Sequence, residues 1–259
     1  MSQVSENRLL SVEELAEGIY KMTLESEYIA REALPGQFVN VRCDGGSGAL
    51  LRRPISIRGV DRAEGSYDIV FQVKGAGTGL LAAKRPGDII DVMGPLGKPF
   101  DMEPRYGRIA VVGGGIGIFP LLFLLRDSRA VVKRSYLGFR SRELIVLRDE
   151  FAEASSSLNI ATDDGSEGFG GPVTGPFERD LAASPFDLVY ACGPLPMLKS
   201  VSEISAKYGA PCQVSLEQRM GCGFGACLVC ACGIKKGDGL EYRHVCKDGP
   251  VFWSSDVVF

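Results

Sequence analysis

The chain has 259 residues, 45% of them hydrophobic and 24% charged, with a formal net charge of −3. That length exceeds the needs of one small core and suits two domains with an appendage. The composition is that of a soluble globular protein. It offers no basic surface for nucleic acid and no apolar run of the roughly 18 residues needed to cross a membrane.

The N-terminus, Met1-Ser2-Gln3-Val4-Ser5-Glu6-Asn7-Arg8, lacks the basic start and apolar stretch of an export signal. This points to the cytoplasm, where thiols stay reduced. The 8 cysteines are then expected to be ligands or bystanders rather than disulfides, and the 1 histidine, His244, excludes chemistry that needs two imidazoles.

Residues 1–102 read as short strands at 19–24, 37–41, 54–60, 67–73 and 89–93, rich in β-branched and aromatic residues. Leu34-Pro35-Gly36, Asp44-Gly45-Gly46-Ser47-Gly48, Ala63-Glu64-Gly65 and Pro86-Gly87-Asp88 break them. The spacing predicts an antiparallel β-barrel. A short helix is expected at 78–84 with Thr78 as its N-cap. Arg53-Pro54-Ile55-Ser56 opens a strand, where a proline suits an edge, a strand start or a bulge. Gly75-Ala76-Gly77-Thr78 has the form of a loop that brings backbone N–H groups to a phosphate, or of a simple turn.

The pattern changes near residues 104–107. Strands are predicted at 108–112, 131–138, 158–162, 188–191 and 213–216, with helices at 118–125, 142–154 and 197–208. This alternation predicts a parallel sheet flanked by helices. Gly113-Gly114-Gly115-Ile116-Gly117 joins the first strand to a helix, where backbone N–H groups can approach a pyrophosphate. It departs from the G-x-G-x-x-G fingerprint, and Gly138-Phe139-Arg140-Ser141-Arg142 stands where an acidic residue would close the second strand. A tight strand–helix turn gives the same run of glycines. Cys192-Gly193-Pro194 ends a strand at the carboxyl edge, where open α/β sheets take their ligands. Cys192 by itself also reads as a small buried hydrophobe. Glu217 and Arg219 read as structural, with a proton-handling role as the weaker alternative for Glu217.

The final segment carries Cys222, Cys227 and Cys230 in C-x4-C-x2-C spacing, with Cys246 further on. This is the plant-type spacing for a [2Fe–2S] cluster. Gly221, Gly223 and Gly225 allow the dihedrals and close backbone approach that such a loop needs. Four thiolates also suit zinc, but zinc sites commonly pair two C-x2-C knuckles and Cys246 has no such partner. A non-catalytic, zinc-stabilised binding module is therefore the alternative of a different class. Cys232 would share a strand face with Cys230; it is left out because Cys230 already completes the spacing. The segment shows little helical period, so a cluster would have to organise it.

Taken in this order, the Arg-x-x-Ser strand, the Gly-Thr loop, the triple-glycine loop and Cys-Gly-Pro resemble the ferredoxin–NADP reductase superfamily. Met93-Gly94-Pro95-Leu96-Gly97, Thr162-Asp163-Asp164-Gly165-Ser166, Glu217-Gln218-Arg219-Met220-Gly221-Cys222-Gly223 and Val245-Cys246-Lys247-Asp248-Gly249-Pro250-Val251-Phe252 narrow the resemblance. They are similar to the electron-transfer subunits of the dihydroorotate dehydrogenase B family, and the likeness covers nearly the whole chain. It implies an FAD-binding β-barrel over 1–102, an NAD-binding α/β domain over 103–215 and a [2Fe–2S] segment over 216–259.

Arg53, Pro54, Ile55 and Ser56 would lie beside the isoalloxazine, and Val70, Phe71, Gln72, Gly77 and Thr78 along the ribityl and pyrophosphate groups. Gly113, Gly114, Gly115, Gly117, Cys192, Gly193 and Pro194 would serve the nicotinamide dinucleotide. Cys222, Cys227, Cys230 and Cys246 would hold the cluster. Gln72 stands where many relatives carry arginine, so one charge-assisted contact to the FAD diphosphate is missing.

The resemblance implies an oxidoreductase subunit of pyrimidine biosynthesis with no catalytic base of its own. Its partner would be an FMN-containing subunit that oxidises dihydroorotate, with NAD+ as final acceptor and two of each subunit in a heterotetramer. The alternative of similar build is an NAD(P)H-linked ferredoxin or sulfide reductase, or a hydrogenase flavoprotein subunit. Arg140 and Arg142 could then take a 2′-phosphate, but such relatives often lack a cysteine where Cys222 stands.

Overall fold

The computed structural model describes residues 2–43, 49–237 and 239–259. The turn expected at Asp44-Gly45-Gly46-Ser47-Gly48 lies outside the described residues.

The first part of the chain is a closed barrel. Its strands are β1 (Gln3–Ala16), β2 (Ile19–Glu25), β3 (Phe38–Val41), β4 (Arg53–Asp61), β5 (Ser66–Gln72) and β6 (Ile89–Leu96), in the order β1-β2-β5-β4-β3-β6. All neighbours are antiparallel. β1 is the strand that sequence reading missed. It pairs with β2 through Arg8–Ala16 and with β6 through Gln3–Arg8, and so closes the barrel. Two short helices attach to the barrel. In α1 (Glu27–Glu32), Ser26 caps the N-terminus by accepting from the N–H of Ile29 at 3.3 Å. In α2 (Ala76–Ala82) the N-cap is Gly75, not Thr78, which lies inside the first turn. The barrel interior is filled by Met22, Leu24, Val39, Val41, Ile55, Ile57, Ile69 and Phe71.

The second part is a seven-stranded sheet. It comprises β7 (Arg108–Gly114), β8 (Val132–Phe139), β9 (Ser157–Thr162), β10 (Phe169–Gly170), β11 (Leu188–Cys192) and β12 (Cys212–Ser215), with a late strand β15 (Val251–Trp253). The order is β10-β9-β8-β7-β11-β12-β15. All pairs are parallel except β12 with β15. The final segment therefore supplies an edge of the sheet. Helices α3 (Phe119–Asp127), α4 (Arg148–Ala154), α5 (Thr174–Ala183) and α6 (Leu195–Lys207) flank it.

α3 is buried on every side over Phe119–Leu125, as expected for an apolar helix between two layers. Phe123 enters the barrel core, while Leu121, Leu122, Leu124 and Leu125 belong to the sheet core. The helix expected at 142–154 is broken. Arg142–Leu144 is a 3-10 turn, Leu147 takes φ +58°, and α4 starts only at Arg148. The break lets Val146 reach the sheet core. No described helix is long and apolar enough to cross a membrane.

The cysteine segment contains a hairpin, β13 (Ala231–Lys236) and β14 (Gly239–His244), which the lack of helical period did not reveal. Cys230, Cys232 and Cys246 share one buried core with Phe38 and Leu96 of the barrel and Val214 of the sheet. The segment is thus packed against both larger parts. The Lys98 N–H donates to the Gly249 carbonyl at 2.6 Å, and the Leu216 N–H to the Pro250 carbonyl at 2.9 Å.

Candidate functional site

A cleft of about 850 Å³ opens where the barrel meets the carboxyl edge of the sheet. Gly114, Gly115 and Gly117 from the turn after β7, and Gly193 and Pro194 from the turn after β11, line it, with Gln72 and Lys74 facing them from the barrel. The two turns are pressed together. A Cβ on Gly117 would lie 2.6 Å from the Cys192 carbonyl oxygen, so only glycine fits. Gly115 is different: its φ is +53° and a Cβ there would meet nothing within 4 Å. Its backbone faces the open cleft, where glycine allows close approach of a ligand. The helix after this loop starts as a 3-10 turn, Gly115–Ile118.

Cys192 and Gly113 are buried behind the cleft rather than in its wall. Burial, and secondarily the charge of Glu217, push the Cys192 thiol up to about 12, so it packs as a neutral hydrophobe.

Several wall residues escaped sequence reading. Thr174 and Ser200 line the cleft, and Glu217, read first as structural, lines it with them. Thr174 opens α5, which the Gly-Phe-Gly-Gly-Pro run before it disguised as loop. Lys74 follows Gln72 by two residues and brings a cation to the wall where Gln72 brings none. That spacing was a readable signal, because alternate residues of an extended chain share a face.

The second group of residues lies on β4 and α2, outside the cleft walls. Pro54 and Ser56 alternate with Ile55 and Ile57 along β4. Ile55 and Ile57 fill the barrel, and Pro54 and Ser56 form a half-buried outer face. Only the backbone of Ile55 is therefore available to a ligand. Val70 is packed in the sheet core and Phe71 in the barrel core, so the same holds for them. Arg53 and Gly77 are brought together: a Cβ on Gly77 would lie 2.7 Å from Arg53 Nε. Thr78 Oγ1 accepts from the N–H of Lys74 at 2.9 Å and of Gly75 at 3.3 Å, tying the start of α2 to the strand exit.

The cysteine loop has the third group. N–H···S contacts link its cysteines two by two. The Cys222 N–H points at Cys227 Sγ at 3.3 Å, and the Cys246 N–H at Cys230 Sγ at 3.4 Å. The Ala226 N–H points at Cys222 Sγ at 3.2 Å. Gly223 and Gly225 take φ +83° and +91°, a left-handed backbone that glycine adopts without strain. At Cys222, burial raises the thiol pKa, but the N–H groups of Phe224, Cys227 and Ala226 outweigh it and bring the value down to about 6. Cys246 is pushed up to about 12, first by burial, then by Cys230 and by the charge of Cys222. Four thiolates crowded in this way repel one another, and a cationic metal group between them relieves that penalty. Among the described residues no group of three or more His, Cys, Asp or Glu is placed to hold a metal ion. A [2Fe–2S] group needs two thiolates for each iron, and Cys222, Cys227, Cys230 and Cys246 match that number. Cys232, on β13 two residues after Cys230, is pushed up to about 11, mainly by burial.

Comparison with known proteins gives these groups a family. Residues 217–258 match the model of the iron–sulfur cluster binding domain of dihydroorotate dehydrogenase B. The electron transfer subunit of dihydroorotate dehydrogenase B (NAD(+)) from Geobacillus thermodenitrificans is 44% identical over 248 residues, covering 94% of each chain. That from Desulforamulus reducens is 41% identical over 261 residues, covering 100% of each. Among solved structures, one of the NADH-dependent reduced ferredoxin-NADP oxidoreductase, studied for flavin-based electron bifurcation, superposes with a TM-score of 0.86 at 32% identity. It covers 97% of this chain and 89% of that one. A ferredoxin NADP+ reductase from Neisseria gonorrhoeae, with a TM-score of 0.67 at 17% identity over 80% of this chain and 92% of that one, shares the fold. By its identity to these relatives over nearly its whole length, the chain belongs to the family of electron transfer subunits of dihydroorotate dehydrogenase B.

Proposed function

We propose that this chain carries electrons between a separate dihydroorotate-oxidising subunit and NAD+. The observation that carries the reading is the cysteine loop: two thiol pairs with N–H groups aimed at their sulfurs, packed against the outer face of the barrel. When bound, FAD exchanges a hydride with the nicotinamide and single electrons with the [2Fe–2S] cluster.

The chain's own residues bind and orient. Pro54, Ser56 and the Ile55 backbone would flank the isoalloxazine, with Arg53, Gly77 and Thr78 toward the diphosphate and the backbone of Val70, Phe71 and Gln72 alongside. Lys74 would supply the charge that Gln72 lacks. Gly114, Gly115, Gly117, Gly193 and Pro194 would hold the dinucleotide, with Gly113 and Cys192 packed behind them. Cys222 with Cys227, and Cys230 with Cys246, would ligate one iron each. In this reading residues 1–102 serve FAD, 103–215 serve NAD and 216–259 serve the cluster. His244 lies 3.4 Å from Asp248 beside the cluster loop, and it is the one histidine of the chain. Dihydroorotate chemistry would therefore belong to the FMN-containing partner, in a cytoplasmic heterotetramer of two subunits each. Phe224, Leu228 and Val229 stand exposed around the loop and are the contact residues this reading offers.

A second reading, a ferredoxin-linked subunit, is favoured by the NADH-dependent ferredoxin-NADP oxidoreductase likeness and by Arg140 in the cleft wall. One assay separates them. The purified chain should contain FAD and iron–sulfur and pass electrons from NADH to an artificial acceptor. Dihydroorotate-dependent NAD+ reduction should appear only with the catalytic subunit added. Its appearance in the isolated chain, or its absence from the reconstituted pair, overturns the proposal.

A further inference from the structure

We propose that Asn40 is a positioning residue for electron transfer, fixing the cluster loop against the flavin-facing strand. The proposal rests on the reading above and adds a residue to it.

Asn40 lies on β3, whose alternate residues Val39 and Val41 fill the barrel. Phe38 and Asn40 therefore face outward, yet both are buried, because the cysteine segment covers them. The side chain of Asn40 reaches that segment directly: its Nδ2 donates to the Cys222 carbonyl at 3.3 Å. The contact is tight, since any side chain on Gly223 would collide with Nδ2.

On its other side Asn40 sits opposite Pro54 in the β3–β4 register. The Ile57 N–H donates to the Gln37 carbonyl, which sets the phase of the ladder. The Asn40–Pro54 pair then falls at a non-hydrogen-bonded position, where opposed side chains lie closest. One residue is thus paired in register with the strand proposed to flank the isoalloxazine and bonded through its side chain to the backbone of a proposed cluster ligand. It does so at a cost. Asn40 is 1% exposed, and its Oδ1 is buried with no hydrogen-bond partner among the described residues. An apolar residue of similar size would avoid that cost, so packing alone does not call for an amide. The step concerned moves one electron at a time between the two groups, the donor oxidised and the acceptor reduced, with no bond made or broken. Its rate depends on the separation and orientation that Asn40 sets.

The test compares Asn40→Leu and Asn40→Ser with the wild-type chain, neither variant reaching the Cys222 carbonyl with a donor. Three readouts are used: amide exchange of residues 221–227, the electron paramagnetic resonance spectrum and midpoint potential of the cluster, and the separate rates at which NADH reduces flavin and cluster. Exchange is also read in the iron-free chain, so a variant that fails to load still reports on the contact. Both variants should retain FAD and its reduction by NADH. In both, exchange over 221–227 should quicken about five- to tenfold, the factor one hydrogen bond supplies. The cluster spectrum and potential should shift, and cluster reduction should lag flavin reduction. Wild-type behaviour in both variants overturns the proposal. So does a change in only one, which traces to volume rather than to the lost donor. A wild-type chain that binds neither flavin nor iron–sulfur overturns the functional reading itself.

Discussion

Gly115 shows how one residue opens the proposed dinucleotide site. At φ +53° with nothing within 4 Å of a prospective Cβ, it leaves backbone exposed to the cleft. Valine at that φ is strained, and its methyls would occupy the approach path. Gly115→Val should slow NADH-dependent flavin reduction about tenfold or more, the equivalent of ~1–3 kcal/mol of strain and lost contact. FAD and cluster absorbance should stay. Flavin reduction at the wild-type rate would remove the loop from the site. The cysteines give a second prediction at this scale. The Cys246 N–H points at Cys230 Sγ, and the charges of both Cys230 and Cys222 act on the Cys246 thiol. Charges acting on Cys232 come instead from Cys230 and Asp248. Serine at Cys222, Cys227, Cys230 or Cys246 should abolish the iron–sulfur absorbance, and Cys232→Ser should keep it. A cluster that survives Cys246→Ser but not Cys232→Ser means the fourth ligand is Cys232.

Helix α2 shows how an element end can be misread and still matter. Thr78 has the residue type of an N-cap, but Gly75 holds that position and Thr78 reaches back to it. The hydroxyl accepts from the N–H groups of Lys74 and Gly75 and donates to the Gly75 carbonyl. Thr78→Ala should therefore loosen the turn by about 1 kcal/mol and weaken FAD retention several-fold on dialysis, with Thr78→Ser restoring it. Unchanged retention would detach this turn from the flavin. What sequence reading recovered follows the same logic of local signals. Strands β2 to β6 and β7 to β12 announce themselves through apolar runs and turn residues, with the two-residue β10 as the exception. The cysteine spacing is legible because three of its members share one loop. β1 was hidden by its charge, with Glu6, Arg8, Glu13 and Glu14 on a strand that buries only Asn7 and Leu9. α5 was hidden by glycine and proline ahead of it, although Pro176 is tolerated in a first turn. The Asn40 contact with Cys222 spans 182 residues, and no local pattern encodes a pairing of that range.

At the scale of the molecule, the barrel and the sheet must act as one body if the two proposed ligand-binding faces are to keep their geometry. An ionic network at their junction does part of this. Arg58 on β4 is 4% exposed. It binds Asp68 on β5 at 2.7 Å and Glu150 on α4, and Glu150 also binds Arg126 on α3 at 2.6 Å. Removing one member of a fully buried pair costs about 3–5 kcal/mol, because it strands a charge. Here the carboxylates keep other partners: Thr23 donates to Asp68 at 2.7 Å, and Arg126 remains on Glu150. Both are also partly open to solvent. Arg58→Leu should therefore cost less, about 1–3 kcal/mol. The loss should lower the urea midpoint without changing the absorbance of FAD or cluster in the native baseline. Because Phe123 of α3 is rooted in the barrel core, flavin release and loss of helical signal should still coincide in one transition. An unchanged midpoint would mean the network carries no net stability. Two separated transitions in the wild type would mean that apolar contact through α3 does not couple the halves.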